Sequence, residues 1–119
     1  MAGALADCER AMRISPLDPF AFFAEHMLSQ AHYFGGNFPA AIEWGRMAES
    51  HTPRLTSNLR TLTAALVGAG ELDEARTVAT RMLAIEPSFS LARFAARSPF
   101  APELRANYVT RLRAAGLPE

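Results

Sequence analysis

Residues 20–53 read FAFFAEHMLSQAHYFGGNFPAAIEWGRMAESHTP, and residues 54–87 read RLTSNLRTLTAALVGAGELDEARTVATRMLAIEP. Pro19 precedes the first stretch, so that three prolines stand at one interval of 34 residues. A period of this length is typical of repeats built from two helices and a turn. Placed in register, the two stretches share five identities: Leu28 with Leu62, Ala31 with Ala65, Gly36 with Gly70, Ala41 with Ala75, and Pro53 with Pro87.

These shared positions are of the kind that helix pairs require. Small residues let two helices cross at short range, and proline supplies the fixed φ of a first helical turn. The sequence therefore predicts an all-α fold, in which helix pairs stack into an α-α superhelix.

The spacing of apolar and helix-ending residues predicts about seven antiparallel helices in one domain. Glycines at 35–36 and at 68–70 divide two full helix pairs, and Ser98-Pro99 ends a shorter helix. The expected units are the second helix of an incomplete repeat (1–15), repeats at 19–53 and 54–87, and a partial repeat with a capping helix (88–119). The capping helix begins at Pro102, and its outer, polar face is expected to carry Arg105, Arg111 and Arg113.

Composition and charge limit the classes of function. Twelve acidic residues balance twelve arginines in a chain of 119 residues without lysine, so no net field attracts nucleic acid or an anionic membrane. No apolar run approaches the roughly twenty residues of a membrane span, and the sequence begins with no basic and apolar leader. We therefore expect a cytoplasmic domain without nucleic-acid or membrane partners.

The sequence shows no arrangement typical of catalysis or metal binding. His26 and His32 lack the H-E-x-x-H order and lie on different faces of one predicted helix. The glycine turns follow helices and lack the Lys-Ser/Thr of a phosphate-binding loop. Cys8 is the single cysteine, so it has no second thiol for a disulfide or a redox motif. We expect no catalytic residue, no metal and no cofactor, and thus no enzyme in this chain.

Residues 19–87 resemble two tetratricopeptide repeats, and the resemblance implies a helical solenoid that binds proteins. The positions that favour small residues hold Ser29, Ala41 and Ala48 in one repeat and Thr63, Ala75 and Met82 in the other. Two aromatic positions of the family pattern are not aromatic here. The first position holds Glu25 in one repeat and Leu59 in the other, and the second position holds His32 and Leu66.

Three longer stretches resemble the carboxy-terminal segment of bacterial multidomain adenylate/guanylate cyclases. They are AMRISPLDPFAFF (11–23), GELDEARTVATRMLAIEPSFSLARFAARSPF (70–100) and RLRAAGLPE (111–119). The resemblance implies a regulatory, protein-binding tail attached to an output domain. Similar tails follow winged-helix transcriptional regulators, and a purely structural homodimerisation module is a further alternative.

The first helix of each pair in such a solenoid lines a concave groove, which is where we expect a protein or peptide partner. The predicted groove residues are Phe23, His26, Gln30, Tyr33 and Phe34 in one repeat and Ser57, Arg60, Ala64 and Val67 in the next. Tetratricopeptide domains that bind a C-terminal carboxylate do so through Lys, Asn and Lys or Arg at particular positions on the first helices of successive repeats. Those places hold His26, Gln30, Thr61, Leu91 and Ala95 here, so that clamp is not expected.

The predicted N-terminal helix has an apolar stripe with little to cover it, including Leu5, Cys8 and Met12. We expect the polypeptide to be part of a longer chain and the stripe to be covered by a second copy in a homodimer. The alternative is that this helix folds back on the first pair within one chain.

Overall fold

The computed structural model describes residues 21–119, with side chains from Ala24 onwards, and these residues form six helices and no strand. The helices are α1 (Ala21–Phe34), α2 (Phe38–His51), α3 (Thr56–Gly68), α4 (Leu72–Ile85), α5 (Leu91–Arg97) and α6 (Pro102–Ala114). The predicted all-α class is confirmed for this part of the chain. The predicted N-terminal helix lies outside the described residues.

The second helix of each pair repeats at the period seen in the sequence. α2 and α4 both have 14 residues, and α4 begins 34 positions after α2. The turns before them also match, because Gly36 has φ 81° and Gly70 has φ 82°. Glycine adopts this left-handed conformation without the steric penalty of a Cβ, and so it ends α1 and α3 in the same way.

Pro53 and Pro87 lie in turns between helices, which corrects the expectation that they form the first turn of the next helix. The N–H of Leu55 donates to the carbonyl of Thr52 at 3.2 Å, and the N–H of Phe89 donates to the carbonyl of Glu86 at 3.1 Å. Each bond closes a four-residue β-turn with proline at its second position, where the fixed φ of proline fits. As a result, α3 begins only at Thr56 and α5 at Leu91.

Small residues mark the place where α1, α2 and α3 cross. A Cβ added to Gly45 would lie 3.1 Å from Ser29 Oγ and 3.2 Å from Leu62 Cδ1. Ser29 donates its hydroxyl to the carbonyl of Ala41 at 2.7 Å, and the Asn58 amide donates to the carbonyl of Gly45 at 2.9 Å. The close approach of the helices thus lets buried polar side chains reach backbone carbonyls.

The C-terminal helix α6 packs against α3 through Tyr108, which is 1% exposed. The Tyr108 hydroxyl shares a hydrogen bond of 3.0 Å with the Thr61 hydroxyl. The Tyr108 ring packs against four aromatic rings, those of Tyr33, Phe34, Phe94 and Phe100. Such edge-to-face and stacked contacts add to the gain from burial, so α6 is part of the core and not an appended layer.

Arg111 does not lie on the polar outer face predicted for it. Its Nη1 donates to the Tyr33 hydroxyl at 2.9 Å, and its guanidinium carbon lies 4.9 Å from the centre of the Phe38 ring. The Phe38 ring packs on Gly68, where a Cβ would come within 2.7 Å of it. The attraction between a cation and an aromatic face therefore turns this arginine inward. Arg113, by contrast, pairs with Glu119 at the surface.

Candidate binding cleft

The residues predicted to line a concave groove are mostly covered in this structure. Tyr33 is 3% exposed and Ala64 is fully buried, while Gln30, Phe34, Ser57 and Val67 are half-buried. The side chain of Phe23 lies outside the described part. The aromatic contact between Tyr33 and Tyr108 shows that α6 lies over the end of α1. A partner would reach Tyr33 or Ala64 only if α6 moved, and their role in binding stays a prediction.

Arg60 differs from the other predicted groove residues because it borders an open cleft. The cleft has a volume of about 430 Å³ and lies between α3, the turn after α4, and α5. In the described part of the chain it is lined by Arg60, Glu86, Ser88, Phe89, Ser90, Arg93, Phe94, Arg97, Ser98 and Pro99. Clefts of roughly 300–1,000 Å³ are typical of ligand sites.

Two aromatic rings hold the Arg60 guanidinium in place. Its central carbon lies 5.1 Å from the centre of the Phe94 ring and 5.8 Å from that of Phe89. Its side chain is 17% exposed, and its Nη1 lies 3.8 Å from a carboxylate oxygen of Glu86. The buried Nε of Arg60 has no hydrogen-bond partner among the described residues. The cation is therefore fixed in position, and its ion pair with Glu86 is loose.

Two further arginines on α5 border the same cleft. Arg93 Nη2 donates to the carbonyl of Ser88. The side chain of Arg97 makes no ion pair or hydrogen bond with any residue in the described part. Ser90 begins α5 as its N-cap, because its hydroxyl oxygen accepts the N–H of Arg93 at 3.3 Å. Three arginines against one glutamate give this cleft a local positive charge, although the whole chain is neutral.

His26 lies near Arg60 on the α1 side and is buried. Burial lowers the pKa of His26, a hydrogen bond with the Asn58 side chain opposes this effect, and the charge of Arg60 lowers the pKa further. Its Nδ1 has no hydrogen-bond partner in the described part. Its neighbour Glu25 is fully buried, and one Glu25 oxygen lies 2.7 Å from Nδ1 of His51. This pair joins α1 to the last residue of α2.

The described residues place no cluster of three or more His, Cys, Asp and Glu side chains where a metal ion would be held. Within residues 21–119, no helix combines the length and the apolar character needed to cross a lipid bilayer. The predicted dimer contacts Leu5, Cys8 and Met12 lie outside the described residues.

Sequence reasoning named Arg60 as a residue of the concave groove but did not point to Arg93 and Arg97, which border the same cleft as Arg60. A signal was present, because these two arginines stand four residues apart in LARFAAR and so share one helical face. The position 34 residues after Arg60 is Phe94, which explains why the period alone did not point to the cations beside it.

No model of a protein family, no curated protein and no solved structure matches this chain.

Proposed function

We propose that this chain is a non-catalytic protein-interaction module of the tetratricopeptide type, acting in the cytoplasm, and that it binds a peptide segment of a partner protein in the cleft between α3 and α5. The observation that carries the proposal is the cleft itself. It is open, bordered by three arginines and by aromatic rings, and large enough for a few side chains of an extended peptide.

The lining favours binding over chemistry. Two of the three serines at the cleft have structural roles, since the Ser90 hydroxyl caps α5 and the Ser98 hydroxyl accepts the N–H of Phe100 at 3.2 Å. Among the described residues that border the cleft, no histidine or cysteine stands beside them to act as a base or nucleophile. A cleft of arginine, phenylalanine and serine is well suited to hold a polar peptide.

The geometry of the turns supports the repeat interpretation. The backbone repeats at 34 residues, with matching glycine turns and matching proline turns. The sequence also resembles cyclase tails, and on that basis the module would regulate an output domain such as an adenylate/guanylate cyclase or a winged-helix DNA-binding domain.

Selection from a random peptide display library tests the proposal. Wild-type protein serves as bait, and Ser88→Trp fills the cleft while it leaves the carbonyl of Ser88 in place. The matched control is Thr110→Trp on the exposed face of α6. We expect peptides that bind wild type and Thr110→Trp but lose binding to Ser88→Trp. Peptides that bind all three proteins equally would place the interaction elsewhere.

A further inference from the structure

We infer that the cleft selects peptide segments that carry an aspartate or glutamate side chain, and that Glu86 occupies the place of this carboxylate while no partner is bound. This inference rests on the proposed function and adds the chemical class of the ligand. It further assigns Glu86 the role of an internal competitor.

The first argument is charge. Arg60, Arg93 and Arg97 border the cleft, and Glu86 is the one acidic side chain among its described lining residues. A group of three guanidinium ions attracts an oxyanion, and arginine pairs with carboxylates through two parallel hydrogen bonds.

The second argument is geometry, because Glu86 satisfies Arg60 poorly. The distance of 3.8 Å between Arg60 Nη1 and Glu86 Oε1 is longer than a hydrogen bond. Arg81 shows what a well-formed pair looks like in the same protein, since it donates to both oxygens of Glu49 at 3.0 and 3.1 Å. The Arg60 pair is therefore weak, and a better-placed carboxylate would replace Glu86.

The third argument is preorganisation. The Phe94 and Phe89 rings hold the Arg60 guanidinium, so an incoming carboxylate does not have to order that side chain. The exposed side chain of Arg97 borders the same cleft and can approach a second acidic side chain. A peptide with two nearby acidic residues fits this arrangement best.

The peptides selected with wild-type bait provide the probe. Each cleft-dependent peptide is synthesised with a fluorescent label and an amidated C-terminus, once unchanged and once with each Asp and Glu replaced by Asn and Gln. Dissociation constants are measured by fluorescence anisotropy. We expect acidic residues in the selected peptides and at least a tenfold loss of affinity in the amide versions.

Protein variants test the roles of individual residues. Arg97→Gln should weaken binding about tenfold, whereas Arg54→Gln, which removes the same charge at an exposed position outside the cleft, should leave affinity unchanged. Glu86→Gln should tighten binding several-fold because it removes the internal competitor. Thermal unfolding of each variant shows that the fold is retained.

The outcomes separate the two proposals. No cleft-dependent peptide at all would overturn both the proposed function and this inference. Cleft-dependent peptides whose affinity is unaffected by loss of their acidic residues would overturn the inference alone. Displacement of the peptides by millimolar or lower inorganic phosphate would show a site for a small anion, which also contradicts it. Unchanged or weaker binding to Glu86→Gln would refute the role given to Glu86.

Discussion

Replacing Tyr108 with phenylalanine should destabilise the fold by removing one buried hydrogen bond. The hydroxyl of Tyr108 shares a bond of 3.0 Å with Thr61, and both side chains are buried. The phenylalanine ring keeps the aromatic contacts, so that the cavity left behind is small. The expected loss is about 1–1.5 kcal/mol of unfolding free energy. For a domain of this size that corresponds to a fall of roughly 3–8 °C in Tm.

A double-mutant cycle identifies the bond as the cause. Thr61→Val alone leaves the Tyr108 hydroxyl buried without its partner, and should also destabilise. Because Tyr108→Phe with Thr61→Val removes both polar groups together, the double variant should lose less stability than the sum of the two single losses. Urea denaturation followed by far-UV circular dichroism gives the unfolding free energies of wild type, the two single variants and the double variant. Additive losses would refute the reasoning, since they would mean that the two hydroxyls do not interact.

The same tyrosine predicts how stability depends on alkaline pH. Burial raises the pKa of Tyr108 to about 12, while the hydrogen bond with Thr61 and the charge of Arg60 oppose the rise. An unfolded tyrosine ionises near pH 10. As the pH rises from about 10 to 12, the unfolded state therefore loses this proton first and the free energy of unfolding decreases. Tyr108→Phe should flatten this decrease, although Tyr33, whose pKa burial also raises, contributes a remainder.

Three further predictions follow from burial and close packing. Because burial lowers the pKa of His26, the unfolded chain takes up a proton before the folded chain as the pH falls below about 6.5. The free energy of unfolding should therefore decrease at acid pH. In urea denaturation at a series of pH values, His26→Gln should flatten this decrease. Ala75→Leu should cost about 1–3 kcal/mol in urea unfolding, since Ala75 is fully buried, whereas an unchanged midpoint would contradict the close packing there. Gly45→Ala should lower Tm, although alanine favours a helix more than glycine does, because its Cβ would press on Ser29 and Leu62; an unchanged or raised Tm would contradict the close crossing there.

Local signals in the sequence were sufficient for most of the helix boundaries. Gly36 and Gly70 end α1 and α3 in the left-handed conformation that glycine favours, and the 34-residue spacing fixed α2 and α4. The prediction that Pro53 begins a helix was wrong, because proline suits both the first turn of a helix and the second position of a β-turn. The choice between the two depends on the bond from Leu55 to Thr52, which the residue types do not reveal.

The position of α6 could not be predicted from local pattern. Its arginines indicate a polar outer face, yet Arg111 turns inward because the Phe38 ring and the Tyr33 hydroxyl, which are distant in sequence, lie next to it. The same long-range packing covers Tyr33 and leaves Arg60 at an open cleft. Arg60 was predicted because it lies on the first helix of its pair, whereas the cations of α5 required the fold to bring them beside it.

The short helix α5 links the cleft to the far end of the sequence. With seven residues it is shorter than the roughly 12–15 at which an isolated helix becomes marginally stable, so its order depends on contacts made elsewhere. One of them is the bond of 2.8 Å from the N–H of Leu91 to the carbonyl of Pro118, beside the buried Leu117. A ligand in the cleft should therefore slow hydrogen exchange at the N–H of Leu91. Because coupling is reciprocal, loss of the contacts of the last three residues should weaken ligand affinity by the free energy with which the ligand stabilises those contacts.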